Sequence, residues 1–450
     1  MKNSGLLFAS LALSSTVSYA ADQATFSGST LHLHHVSYMG AMYDVKMTFK
    51  APNKLILGAV TPLTTMPDNP VVKIPENLKF KVTDINVGGH SYRADFSFDA
   101  DAFIVKNVTL ATHGKMFKGE MITNLGILAD GSFSYAYGVS DDGNAISGRS
   151  RDADRKTLPV RFHYDHGHIQ ALDGLGGGRA EGRAINNAET LAGFDTIETD
   201  DGSRVYHAIY NKSGSKTQDI GNLGDGIDSR AYGINNNGMM VGWSSTLADN
   251  TDHVAFSYDT ANGTYKALDG NILGGARSFA FAINDSGQIA GVATTADGSA
   301  LAFIYQNGVA TSLGSVDNSG YSEARAINDK GQATGWSLNK AGQYVAFISD
   351  GTSMQELPGF GGDTKAYSIN THGHVVGDGR DADDGRHAFV YKDGQLHDLY
   401  EMLPAADKAN WKELREAYSI SDNGVVVGRG RFWTDKEKGK DSSRAFRIQL

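Results

Sequence analysis

The side chains able to do chemistry fall into a few groups. "HLHH" sets His32, His34 and His35 close together, and "HYDHGH" puts three histidines between His163 and His168. Imidazoles two apart on a strand share a face and could hold a metal ion. An exposed strand face carries the same residue types, and a related segment answers His32 and His34 with Lys81 and Thr83. The second cluster falls on a polar turn. No metal or other cofactor is expected at either. "DADDG" at Asp381 and "SDDG" at Ser140 are acidic loops without the full oxygen-ligand spacing of a calcium loop.

Flat aromatic and planar cationic groups form the second set. Trp243, Trp336, Trp411 and Trp433 map with Arg149, Arg151, Arg380, Arg386, Arg429 and Arg431 to loops of one rim of the architecture developed below. Stacking rings beside guanidinium groups suit a sugar, an acidic one above all, or a peptide loop. The competing reading places Trp243 and Trp336, which sit at equivalent repeat positions, as plugs between structural units. A third set, Arg204, Tyr206, His207, Arg386 and His387, offers the cation and the proton acceptor that β-elimination from a uronate needs. His207 and His387 are repeat-equivalent, which favours a structural role. The sequence has no strand-flanked Gly-x-Ser-x-Gly, no His-Glu-x-x-His and no phosphate loop.

What positions these groups is a repeat. "AYGINNNGMMVG" at Ala231 returns as "AFAINDSGQIAG" at Ala280, "ARAINDKGQATG" at Ala324, "AYSINTHGHVVG" at Ala366 and "AYSISDNGVVVG" at Ala417. Aligned on the apolar residue of the Ile-Asn step, seven copies place it at Val139, Ile185, Ile234, Ile283, Ile327, Ile369 and Ile420, 42 to 51 residues apart. That period and four strand-like pieces per copy predict an all-β fold, a seven-bladed β-propeller. Glycine four residues past the isoleucine supplies the hairpin turn in six copies. The second copy has Glu189 there and is expected to turn differently.

One and three residues before the isoleucine every copy has Gly, Ala or Ser, whereas two before it stand Tyr137, Arg183, Tyr232, Phe281, Arg325, Tyr367 and Tyr418. Strict alternation along a strand gives each blade a flat and a bulky face, so these large residues are expected to fill the gaps between blades. The last copy ends after its third strand. "GEMITNL" from Gly119 to Leu125 has the form of the fourth-strand piece "GTSMQEL", so residues 119–125 are expected to complete the last blade of a propeller spanning 119–450.

These motifs, together with "HAFVYKDGQLHDL" from His387 and "LGG" ahead of the first strand, resemble the bacterial extracellular repeat called the HAF family, over about residues 120–450. The resemblance implies an exported propeller and carries no assigned chemistry.

Residues 21–118 differ. "VSYMGAMYDVKMTF" from Val36 matches "INVGGHSYRADFSF" from Ile85, an internal duplication that predicts a small β-domain of two similar hairpin units, with the proline-rich "TPLTTMPDNP" linking them. Residues 1–20 carry a lysine, an apolar run and small residues at Ser18 and Ala20, the pattern of a signal peptide cleaved after Ala20, so a secreted or periplasmic location is expected. The run is too short to span a bilayer, and no membrane insertion is expected. A net charge of -10 argues against nucleic acid, and zero cysteines exclude disulfides. The function these features predict is a binding module for a polysaccharide or a cell-surface protein. The alternatives are a propeller-type lyase acting on an acidic glycan and a structural component of the cell envelope.

Overall fold

The structure, a computed structural model, describes residues 24–27, 30–38, 41–51, 54–62, 79–87, 90–99, 102–110, 121–163, 168–268 and 272–450, with side chains described from Met121 to Phe162 and from Ile169 onward. The expected signal peptide and most of the proline-rich linker lie outside the described residues, as do the side chains of His32, His34 and His35 and residues 164–167 of the second histidine cluster.

The first unit is built from the strands Ala24–Ser27, Thr30–Tyr38, Ala41–Ala51, Lys54–Pro62, Lys79–Val87, His90–Asp99 and Ala102–Leu110, which close into a barrel. The duplication reaches the backbone register. The second and third strands slip between Leu33 and Val36, and the fifth and sixth slip at the duplicate positions, between Val82 and Ile85. Each copy also runs on into a third strand, Lys54–Pro62 or Ala102–Leu110, beyond the two-stranded hairpin of the sequence reading.

The second unit is a seven-bladed propeller of four-stranded antiparallel sheets. The first strands of its blades, in order, are Ser134–Val139, Glu181–Ile185, Ser229–Ile234, Gly274–Ile283, Ser322–Ile327, Gly361–Ile369 and Trp411–Ile420. Blade seven continues through Val425–Asp435 and Lys440–Gln449 and takes its fourth strand, Ile122–Asn124, from the other end of the repeats. Phe446 pairs with Asn124 and Ile448 with Ile122. Ring closure of this kind joins the two ends of the repeat region within one sheet, and the blades keep only short outer edges. No described helix is long and apolar enough to cross a membrane.

The Ala-Phe step of the third strand explains how blades stack. Phe256, Phe303, Phe347, Phe389 and Phe446 are all fully buried. Each packs against the alanine of the preceding blade: Phe256 with Ala208, Phe303 with Ala255, Phe347 with Ala302, Phe389 with Ala346 and Phe446 with Ala388. Bulky does meet flat around the ring, but the third strand provides the bulk. The large first-strand residues expected in that gap lie elsewhere.

Asparagine of the Ile-Asn step ties neighbours together. Asn186, Asn235, Asn284, Asn328 and Asn370 each donate from Nδ2 to the carbonyl of the equivalent residue in the next blade at 2.8 to 3.0 Å. Their Oδ1 atoms accept the amide four residues on and hold the hairpin turn. Ser140 and Ser421 replace asparagine in blades one and seven; their Oγ atoms accept a turn amide, from Ala145 five residues on and from Val425 four residues on, and donate within the turn to Asp142 and Asn423 instead of to the next blade. The blade-two hairpin is not built differently. Glu189 adopts φ 57°, close to the 79° of Gly238, and makes the same turn bond to Asn186. Its carbonyl is held by the Arg161 guanidinium, and Ser213 donates to its carboxylate, contacts that fix the left-handed backbone.

Candidate functional site

In every first strand the pairing with the second strand skips one residue. Gly138 faces Ser147 and Ala136 faces Gly148, which leaves Tyr137 unpaired between them. The same slip occurs at Arg183, Tyr232, Phe281, Arg325, Tyr367 and Tyr418. Each is the extra residue of a β-bulge, a device that re-aims a side chain. The glycine of the second strand is part of it. A Cβ built on Gly148, Gly193, Gly242, Gly291, Gly335, Gly377 or Gly428 would lie 1.9 to 2.0 Å from a first-strand carbonyl oxygen, so only glycine lets the strands approach this closely.

The seven bulge residues together line one cavity of about 80 Å³ on the propeller axis. They touch around the ring. Tyr137 and Tyr418 have ring centroids 5.0 Å apart, Tyr367 and Tyr418 5.5 Å, and Tyr232 and Phe281 5.4 Å. The Arg183 guanidinium lies 4.4 Å from the Tyr137 ring centre and 5.3 Å from that of Tyr232. Arg325 lies 3.8 Å from Phe281 and 5.1 Å from Trp336. Stacked this way, the guanidinium planes are held without using all of their N–H donors.

Electrostatics within the ring are uneven. Burial works against the Arg183 charge, but Glu181 at 3.1 Å outweighs it and its pKa is raised. Burial lowers that of Arg325; Glu323, 3.4 Å away, opposes this only in part, and the Arg183 charge adds to the lowering. Burial, then Glu181, holds the Tyr137 phenol well above its usual range, and burial, then Glu416, does the same for Tyr418. Both phenols therefore stay protonated and can donate hydrogen bonds.

Two residues earlier on each first strand lies a second tier. It packs on the residue after the glycine of the preceding blade: Glu181 pairs with Arg149, Arg230 sits 5.2 Å from the Phe194 ring centre, Phe279 meets Trp243, Lys365 lies 5.0 Å from Trp336, and Tyr135 accepts from Arg429 at 2.9 Å. Counting ring and tier together, Arg149, Arg183, Arg230, Arg325, Lys365 and Arg429 face Glu181, Glu323, Asp378 and Glu416, a cation surplus of two in a chain of net charge -10, and Arg386 reaches Glu416 from the third strand of blade six. Glu416 is 3% exposed; its Oε1 accepts from Arg386 and Arg429 and its Oε2 has no partner. Among the described residues no carboxylate pairs with Arg230 or Lys365, which rest on Tyr206 and Tyr344 at 4.0 Å. On the other side of the ring the isoleucines of the repeat line a second cavity together with Asp141, Asp285, Asp329 and Asp422, which make that mouth acidic. There burial pushes the Asp141 carboxyl up to about 6, opposed by the Asn236 amide and reinforced by the neighbouring aspartates.

The candidates from sequence are placed as follows. Trp243 and Trp336 are each 7% exposed and plug between blades, and Trp411 is 2% exposed in the core of blade seven. A stacking platform needs an open ring face, so these three are corrected from binding candidates to packing residues. The loop expected around Trp411 and Trp433 is largely strand, because blade seven runs to 10, 11 and 10 residues in its first three strands. Trp433 is half-buried, with the Lys412 ammonium 5.5 Å from its ring centre. Arg149 and Arg429 belong to the axial tier. Arg380 pairs with Asp384 in its own turn, Arg151 caps the Arg155 carbonyl and Arg431 pairs with Asp441. The acidic loop at Asp381 is closed internally, with the carboxylate accepting the amides of Asp383 and Gly385.

The elimination set does not converge. Arg204, Tyr206 and His207 stand on blade two, Arg386 and His387 on blade six. Each histidine clasps the fourth strand of its own blade, His207 to Asp219 at 2.9 Å and His387 to Asp398 at 2.7 Å. Tyr206 supports Arg230, and Arg386 binds Glu416 at 2.7 Å. The axial ring itself was visible in the sequence as seven large residues between small ones, but strand alternation directed them between blades.

Fold and site define a closed seven-bladed β-propeller with a cation- and tyrosine-lined axial cavity. No protein-family model matches the chain, and no curated protein matches it. Among solved structures it is similar to a prolyl endopeptidase, at 9% identity and TM-score 0.46, covering 82% of this chain and 54% of that one. It is also similar to TolB from Acinetobacter baumannii, at 12% identity and TM-score 0.40, covering 72% and 77%. The propeller domain of the Trilobed protease from Pyrococcus furiosus gives 12% and 0.40, covering 72% and 92%. These likenesses concern the fold alone.

Proposed function

We propose that this chain is an exported binding module that holds an acidic polysaccharide at the axial, cation-rich side of its propeller. The observation that carries this reading is the surplus of cations set on aromatic faces around the axis of an otherwise acidic chain. Arginine beside an aromatic ring matches a sugar ring that bears a carboxylate. The leader-like residues 1–20 and the resemblance to the HAF repeat support export.

The test is an array of neutral and acidic glycans probed with the full chain. Retention on uronate-bearing glycans, falling as salt rises from 50 to 500 mM, is the expected result. A blank array would overturn the polysaccharide reading in favour of a cell-surface protein or a structural role. New ultraviolet absorbance on a bound uronate glycan would instead point to a lyase.

A further inference from the structure

We propose that the axial ring is a carboxylate-binding pocket in which Arg183 and Arg325 hold the two oxygens and the Tyr137 and Tyr418 hydroxyls donate to them; only the identity of the larger molecule rests on the binding-module reading above.

Three observations carry this. First, the bulge is spent identically in all seven blades on turning one side chain to the axis, and blades two and five put arginine there. Two like charges lining one small cavity repel each other, and an anion between them removes that repulsion. Second, each guanidinium is fixed on an aromatic face and shares its carboxylate. Glu181 is divided between Arg149 and Arg183, and Glu323 accepts from the Tyr321 hydroxyl as well as from Arg325. The fork of donors is thus preorganised and only partly neutralised. Third, the cavity of about 80 Å³ accepts a carboxylate with a short stem but not a whole sugar ring, so the ring reads an end or a projecting group.

The direction of entry follows from charge. An anion approaching through the other mouth would pass Asp141, Asp285, Asp329 and Asp422 and the apolar isoleucine side chains beside them. The tier with Arg230 and Lys365 attracts it instead.

The experiment is calorimetric titration of the full chain with sodium acetate, sodium galacturonate and sodium sulfate, with glucose as the neutral control. Binding of acetate and galacturonate is expected, at least about tenfold weaker in Arg325→Gln and Arg183→Gln, about two- to tenfold weaker in Tyr418→Phe, and unchanged in Lys266→Gln on an outer strand. Thermal melts check folding; should Arg325→Gln fail to fold, Arg183→Lys and Tyr418→Phe carry the test. Sulfate binding without acetate or galacturonate would overturn the carboxylate assignment. Equal affinities in wild type, Arg183→Lys and Tyr418→Phe would overturn the site. Should no small anion bind while an acidic glycan is retained on the array, the pocket falls and the binding module stands. Galacturonate binding with a blank array has the opposite meaning.

Discussion

A Cβ placed on Gly335 would lie 1.9 Å from the carbonyl oxygen of Glu323, the residue two before Arg325. The glycine is needed for space, because the obstructing atom is backbone and cannot swing away. Gly335→Ala is expected to destabilise the propeller by about 1–3 kcal/mol or more, as overpacking does. It should also weaken anion binding by displacing Arg325. Thermal melts with galacturonate titration on the same sample check both effects.

The asparagine ladder makes a graded prediction. Asn284 is 4% exposed, donates to the Asn328 carbonyl at 2.9 Å and accepts the Gln288 amide at 2.8 Å. Asn284→Ala leaves buried partners unmatched and should cost about 1–3 kcal/mol. Asn284→Ser should cost less, since Ser140 and Ser421 already keep the turn bond in two blades. Denaturant midpoints of the two variants would coincide if the turn bond contributed nothing.

The His387 clasp sets a pH dependence. Burial disfavours its charged form, but hydrogen bonds to Asp381 at 3.1 Å and Asp398 at 2.7 Å outweigh it, so its pKa is raised. The clasp therefore contributes stability below pH 6.5 that is lost as pH climbs through the raised value. His387→Gln is expected to lower stability by about 1 kcal/mol at pH 5.5 and by much less at pH 9. Melting curves at the two pH values measure the difference.

Asp141 has the opposite sign. With its carboxyl pushed up to about 6, the folded protein binds that proton more tightly than the unfolded chain, and stability falls as pH rises from about 4 to above 6. Asp141→Asn should melt higher than wild type at pH 8 and match it below pH 4. Solvent at the exposed mouth limits the gain to less than about 1 kcal/mol, and added salt should shrink it.

Trp411 separates packing from binding. At 2% exposure and packed with Leu414 and Phe446, its truncation to alanine should cost about 3–5 kcal/mol. Ligand affinity per folded molecule is expected to stay unchanged. A folded Trp411→Ala protein that had lost glycan retention would return the site to the rim.

The sequence by itself determined the period, the four strands per blade and the seven-bladed ring, because each follows from local turn chemistry and repeated apolar spacing. It also singled out the seven large residues between small neighbours. What tertiary structure decided is where they point. Alternation holds only while two strands stay in register, and the bulge inserts one residue into every first strand, so Tyr137 and its six counterparts turn to the axis. The glycine that permits the bulge is on the page as a letter, but its reason, an oxygen within 2.0 Å on a different strand, exists only once the strands are paired. Likewise Arg183 and Arg325, three blades apart in the chain, share one cavity only because the ring closes.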